Sequence, residues 1–204
     1  MLKIALPKGR MGDKVYSMFE RIGLSCREIK EDNRKLVFES DDGSASFVLV
    51  KPADVTVYVE RGAADIGVAG KDVIMENQPD VYEIADLGIG KCRLAVAAIK
   101  GRALEPSGAL RVATKYPEIA KRYYDSIGRQ IDIIKLNGSI ELAPILDMSD
   151  VIVDIVETGA TLRENNLAVM DVIAESSARL IANKSAYNLD GGLIRAIAAR
   201  LEEL

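Results

Sequence analysis

The sequence predicts an α/β protein of two lobes, with parallel or mixed sheets and helices on both faces. Strand-length apolar runs alternate with helix-length amphipathic stretches along the chain. A fresh strand-helix series begins near residue 110, after the less hydrophobic stretch "KGRALEPSG" (100–108). A terminal amphipathic helix then returns past that inserted block. These features divide the chain into residues 1–92 with 178–204 and an inserted lobe at 93–177, joined by two crossings. A hinge of that kind would set a ligand cleft between the lobes.

"LKIAL" (2–6) reads as the first strand, followed by "PKGR" and an amphipathic helix from about Gly12 to Ile22. "KLVFES" (35–40) and "SASFVLV" (44–50) flank the turn "DDG" and suit a hairpin. A short helix is expected from Asp54 to Gly62, then a buried strand "DIGVAG" (65–70) and a helix opening at "KDVIMEN". "YEIADL" (82–87) and "CRLAVAAI" (92–99) are strands, and "DLGIGK" (86–91) marks a crossing. In the inserted block, strands at 110–115, 131–136 and 151–156 alternate with helices at 117–127 and 139–146, the latter with Ser139 as its N-cap. "VMDVIAESSARLIAN" (169–183) runs from alternating to apolar. The last helix spans roughly Gly192 to Leu204, with Leu193, Ile194, Ile197, Ala198 and Leu201 on one face.

Composition narrows the chemistry. The 204 residues can bury one large core or two small ones, and 49% hydrophobic with 28% charged residues is globular. No apolar run is long enough for a membrane span, and the N-terminus predicts no signal peptide. Two cysteines imply no disulfide framework, so a cytoplasmic location is the simplest expectation. A net charge of −4 argues against a general nucleic-acid binder. The chain contains no histidine, which removes Ser-His-Asp triads, histidine bases and most zinc sites. Carboxylates, Lys, Arg, backbone amides and Mg2+ are left to carry any catalysis.

Within that limit, "VIVDIVETGATL" (151–162) is the most informative stretch. Residues 157–161 would sit at the carboxyl end of a parallel strand, where open α/β sheets bind ligands. Gly159 permits a tight turn, Thr158 and Thr161 add hydroxyls, and a helix opening at Thr161 or Leu162 would add amides attractive to phosphate. Asp154 could accept hydrogen bonds from sugar hydroxyls. An ordinary strand-to-helix turn with a capping Thr fits the same residues. "LPKGR" ends the first strand on Lys8, Gly9 and Arg10, which suits polyphosphate or a solvated loop. Arg34, Lys35 and Lys51 read alone as surface charges, and Glu141 as a first-turn acid beside a helix dipole. Glu31 with Asp32, and Asp41 with Asp42, read as exposed loop acids.

Taken together, "LPKGR", "NRKL", "VYVERGAADIGVAGKDV", "DLGIGKCRLAVA", "ATKYP", "NGSIELAP" and "DIVETGATL" resemble the ATP phosphoribosyltransferase family in its short form. They cover nearly the whole chain in the family's order. Asp147 stands where the family usually has glycine, and Lys51 where arginine is common. The resemblance implies a type II periplasmic-binding-protein-like fold and a reaction joining ATP to 5-phosphoribosyl 1-diphosphate, with Mg2+ carried on the substrates' phosphates. It assigns Asp154 to the ribose hydroxyls and Glu157, Thr158, Gly159, Ala160, Thr161 and Leu162 to the 5′-phosphate. Arg10, Arg34 and Lys35 would act on the leaving pyrophosphate, while Lys8, Gly9, Arg10, Lys51 and Glu141 would shape the ATP or pyrophosphate site. No residue is expected to form a dedicated metal site.

The same resemblance implies no C-terminal regulatory domain and, instead, a separate partner resembling histidyl-tRNA synthetase. The expected assemblies are a homodimer and a hetero-octamer, with no nucleic acid or membrane partner. Two other readings stand beside it. A solute-binding module of the same fold would carry a secretion signal or a DNA-binding domain. A salvage phosphoribosyltransferase would usually show two adjacent acids before the Thr-Gly loop, whereas Ile155 follows Asp154 here.

Overall fold

The computed structural model describes residues 1–31, 34–103 and 108–204. Asp32 and Asn33, and residues 104–107 of the "KGRALEPSG" stretch, lie outside the described residues. The chain forms two compact units, Met1–Gly90 with Ser177–Leu204, and Lys91–Ser176.

The first unit is built on strands β1 (Leu2–Pro7), β2 (Val37–Glu39), β3 (Ala45–Val50), β4 (Ile66–Gly70), β5 (Val81–Asp86) and β11 (Ala178–Asn183). They form one sheet in the order β2-β3-β1-β4-β11-β5. β3, β1 and β4 run parallel, while β2 and β11 are antiparallel to their neighbours. Strand alternation sends Ile4, Leu6, Phe38, Phe47, Leu180 and Ala182 to one face. There they meet Val15 and Phe19 of α1 (Arg10–Arg21) and Ile194, Ile197 and Leu201 of α7 (Lys184–Glu202). Phe47 is fully buried, with its ring edge-on to Tyr16 and Phe19. The opposite face of the sheet, with Ala5, Val50 and Ile181, packs on Val55 and Val59 of α2 (Val55–Glu60) and on Ile74 of α3 (Lys71–Asn77).

The turn of the β2–β3 hairpin is held by one carboxylate. Asp42 Oδ1 accepts from the Ser40 hydroxyl (2.7 Å), the Ser44 hydroxyl (2.8 Å) and the Ser44 amide (3.0 Å). These bonds, led by the one from Ser40, hold its pKa down at about 2. A depressed carboxyl stabilises the fold above its unfolded pKa, and that support is lost as pH falls through the folded value. Amide exchange at Ser44 and Ala45 is therefore expected to accelerate as pH falls from about 4 toward 2, after correction for intrinsic exchange. Asp42→Asn should abolish that acid-dependent step; the same step in the variant would show that Asp42 does not govern it.

In the second unit, β6 (Cys92–Ile99), β7 (Leu110–Thr114), β8 (Ile131–Lys135), β9 (Val151–Val156) and β10 (Leu167–Ser176) form a sheet in the order β10-β6-β9-β7-β8. β8, β7 and β9 are parallel, and β6 and β10 close the other side as antiparallel strands. One face, with Val112, Val151 and Val153, is covered by Ala120 and Tyr124 of α4 (Pro117–Ser126). The other, with Ala95, Ala97, Ile152 and Val156, is covered by α5 (Leu142–Ile145) and by Leu162 of α6 (Ala160–Glu164). Edge strand β10 carries two register shifts against β6, a device that discourages pairing with a further strand.

Several expectations change. The helix foreseen at 139–146 is only Leu142–Ile145, and Ser139 is not its N-cap. Ser139 has a left-handed backbone (φ 48°), and Glu141 occupies the cap position without a side-chain capping bond. Asp147 is also left-handed (φ 57°), a conformation that glycine adopts without strain. Aspartate tolerates that geometry here with its Oδ1 accepting from Arg102 Nη2 at 2.7 Å. The Arg102 bond, then the nearby Arg111, hold the Asp147 carboxyl below the usual range.

"VMDVIAESSARLIAN" is divided between β10 and β11, which belong to different sheets. Two helical segments meet at a kink where Asp190 leaves helical geometry (φ −142°): the terminal one expected from about Gly192, and an earlier one that opens at Lys184. Asn183 caps it by accepting from the Ala186 amide at 3.0 Å. Ile194, Ile197, Ala198 and Leu201 are buried as expected, but Leu193 is 44% exposed and lies off that face. Among the described residues no helix is long and apolar enough to cross a membrane.

Candidate functional site

Two strand edges collect the residues singled out from the sequence. In the first unit, β1 and β3 are parallel and in register from Leu2↔Ala45 to Pro7↔Val50, so their carboxyl ends finish together. The Lys8 amide donates to Val50 O at 2.8 Å, which places Lys8 beside Lys51. Gly9 turns the chain from β1 into α1 as its N-cap, and Arg10 opens the helix. Lys8, Gly9, Arg10 and Lys51 are all exposed at this edge.

Two more cations precede β2, and Lys35 borders a hollow with Met1, Lys3, Glu28 and Glu39 on the face of the sheet. Leu49 N donates to Leu36 O at 2.8 Å, which extends the β2–β3 pairing toward Arg34 and Lys35. Arg34 is exposed. Lys35 forms an ion pair with Glu28, from the 3-10 turn Arg27–Lys30, so its ammonium is already partnered. Both side chains are about half exposed, and such a pair is easily exchanged for a stronger anion.

In the second unit, β9 delivers Asp154 and then the loop 157–159 to the carboxyl edge. Asp154 is half-buried on the side of the sheet that faces α6, and its Oδ1 accepts from the Ile155 amide at 2.8 Å. The helix opens at Ala160, one residue earlier than expected, with Gly159 as N-cap. Gly159 has φ 71° and ψ 12°, so a side chain here would be strained. Thr158 shapes the loop from within: its Oγ1 accepts from the Ala160 amide (3.3 Å) and its carbonyl from Arg163 Nη1 (2.9 Å).

The Thr161 side chain is exposed, whereas Leu162 is only 6% exposed and anchors the short helix on Val156 and Ala95. The first-turn amides of a helix have no acceptor within it, so Thr161 and Leu162 N–H groups are open to an anion. Glu157 is exposed beside them, and half-buried Glu141 is the N-cap residue of α5, beyond the end of β8, which β7 separates from β9. Lys115, which sequence reasoning passed over, follows β7 at this same parallel-strand edge, and its ammonium lies 5.9 Å from the Tyr116 ring centre.

The arrangement is that of a two-unit α/β protein whose parallel strands end in polar loops, cationic in one unit and rich in hydroxyls and amides in the other. Its fold is that of periplasmic binding proteins: it resembles the aliphatic sulphonate binding protein SsuA from Escherichia coli with a TM-score of 0.65 at 14% identity, over 99% of this chain and 71% of that one. The chain belongs to the ATP phosphoribosyltransferase family, whose sequence pattern, described as HisG: ATP phosphoribosyltransferase, it matches over residues 51–203.

It is 57% identical to the ATP phosphoribosyltransferase of Brachyspira hyodysenteriae over the full length of both chains. With that of Clostridioides difficile it shares 50% identity, over 100% of this chain and 98% of the relative. A chain of the ATP phosphoribosyl transferase (HisG:HisZ) complex from Thermotoga maritima superimposes with a TM-score of 0.88 at 37% identity, over 100% of this chain and 98% of that one.

Proposed function

We propose that this chain is the catalytic subunit of a short-form ATP phosphoribosyltransferase working in the cytoplasm at the first step of histidine biosynthesis. The full-length likeness to the Brachyspira hyodysenteriae enzyme, at 57% identity, carries the reading. Adenine N1 of ATP attacks the anomeric carbon of 5-phosphoribosyl 1-diphosphate. The new C–N bond forms as the C–O bond to diphosphate breaks, and its electron pair leaves with pyrophosphate. N1 is unprotonated at neutral pH, so the step needs no general base, in keeping with a chain that has no histidine.

The difficulty lies in assembling two polyanions and stabilising the charge that leaves. Asp154 takes the ribose hydroxyls, and Glu157–Leu162 takes the 5′-phosphate through backbone amides and the Thr158 and Thr161 hydroxyls. Lys8, Gly9, Arg10 and Lys51 take the ATP phosphates or the departing diphosphate, with Arg34 and Lys35 beside them, Lys35 exchanging Glu28 for phosphate. Glu141 shapes the site without moving a proton. Among the described residues no group of three or more His, Cys, Asp or Glu stands together to hold a metal. Mg2+ would be borne by the substrates' phosphates, where it would supply neutralisation of phosphate charge.

The Thermotoga maritima structure is of a HisG:HisZ complex, and this chain takes an equivalent partner, a regulatory subunit resembling histidyl-tRNA synthetase. The assembly would be a homodimer that enters a hetero-octamer. The test follows product absorbance in a mixture of the chain, ATP, the diphosphate donor and Mg2+, with and without partner. Wild type is expected to form product, while Thr161→Ala loses roughly ten- to a hundredfold in affinity for the donor, the worth of a hydrogen bond to a charged group, with ATP affinity unchanged. Absence of product with wild type in both mixtures would defeat the function. Equal loss for both substrates would defeat the assignment of the loop.

A further inference from the structure

We propose that Arg93 is the counter-ion of the sugar 5′-phosphate, an inference that rests on the function proposed above and adds a charged residue to its phosphate loop. Arg93 lies on β6 directly opposite Val156 of β9, the residue that precedes the loop. It shares a face of the sheet with Ala95 and Ala97, the face that α6 covers. Asp154 is opposite Ala95, so Arg93 and Asp154 are diagonal neighbours on that face.

The guanidinium is strangely idle for its position. Arg93 Nε is buried and has no hydrogen-bond partner, and the side chain makes no ion pair among the described residues. Glu175 is its cross-strand neighbour on β10, yet that residue is exposed and does not engage it. A buried donor on a cation without an acceptor is costly and implies a partner that arrives from outside. Arg93 lines a cavity of about 510 Å3 with Lys100, Gly159, Leu162, Arg163 and Asn166, so the loop and the unpaired guanidinium border one space.

Charge balance points the same way. Residues 157–162 include Glu157 and no cation, and Asp154 stands just before them. A phosphate dianion there would be repelled by both carboxylates unless a cation sat among them. Arg163 already donates to the Thr158 carbonyl, and Lys100, which borders the same cavity from beyond the far end of β6, offers a point charge without a fork. Arg93 is left, with a planar fork that matches two phosphate oxygens.

Ribose 5-phosphate is the probe, titrated calorimetrically into the full chain for wild type, Arg93→Gln, Arg93→Lys and Thr161→Ala. Arg93→Gln is expected to bind it at least tenfold more weakly with unchanged ATP affinity, and Arg93→Lys to recover part of the loss. Wild-type affinity should rise as pH climbs through the second phosphate ionisation, near pH 6, and Arg93→Gln should flatten that rise, which a merely structural role would not do. If Thr161→Ala weakens binding and Arg93→Gln leaves both affinity and pH dependence as in wild type, Arg93 is not the counter-ion while the loop assignment stands. If neither variant matters, the loop assignment fails and the inference falls with it. Should Arg93→Gln not fold, Arg93→Lys decides: wild-type affinity would overturn the proposal and a several-fold loss would support it.

Discussion

Arg10→Ala is expected to lower kcat/KM by about 10²–10³, roughly 2–4 kcal/mol of barrier, with the Tm unchanged. Arg10 is exposed at the first position of α1, so its side chain does not fill the core. On the proposed function its value is electrostatic: the departing diphosphate gains charge at the anomeric oxygen in the transition state, and a guanidinium held beside it would lower that energy. Because the interaction strengthens as the bond breaks, kcat should fall more than KM rises. Arg10→Lys should restore part of the rate, since a point charge replaces the fork. Wild-type kinetics in Arg10→Ala would remove the residue from the reaction; a lowered Tm with a matching loss of folded protein would make its role structural.

Much of this framework was legible in the chain because burial leaves a plain signature. "CRLAVAAI" and "VIVDIV" are apolar runs that are strand throughout, at Cys92–Ile99 and Val151–Val156. The loop after the second was readable as well, since Gly159 and its flanking threonines follow a strand end. Signals that depend on distant partners were not. Ser139 has the chemistry of an N-cap, but the backbone there turns left-handed and the helix waits until Leu142. The first turns of α7 include Tyr187, Asn188 and Asp190 with no continuous apolar stripe, and their register is set by the Asn183 cap and by packing on β5 and β11.

The site divides in the same manner. Lys8, Arg10 and Lys51 were nameable from sequence, but their adjacency follows from the parallel register of β1 and β3, which pairs residues far apart in the chain. The tie between Lys35 and Glu28 needs a 3-10 turn that carries no apolar period. Arg93 was hidden most completely. It sits inside a strand whose apolar neighbours dominate the pattern, and its unpaired Nε is visible only once β9 and α6 are in place.

Gly12→Ala is expected to damage both stability and catalysis, although Gly12 is neither charged nor in a turn. A Cβ at this position would lie 1.7 Å from the carbonyl oxygen of Pro7, a backbone atom that no change of rotamer can move aside. The first turn of α1 would have to lift from the end of β1, at a cost of about 1–3 kcal/mol as in other overpacked sites. That movement would carry Arg10, two residues away, out of line with Lys8 and Lys51, so kcat/KM should fall further than the loss of folded protein explains. Gly192→Ala is the matched control: Gly192 lies in α7, and an added Cβ there would meet nothing within 4 Å. It should be neutral or stabilising by about 0.5–1 kcal/mol, as expected for glycine replaced in a helix. Denaturant midpoints and steady-state kinetics of the two variants separate the effects. Equal midpoints would show that the close approach of α1 to Pro7 is not a constraint. A lowered midpoint with wild-type kcat/KM per folded molecule would show that the placement of Arg10 does not depend on it.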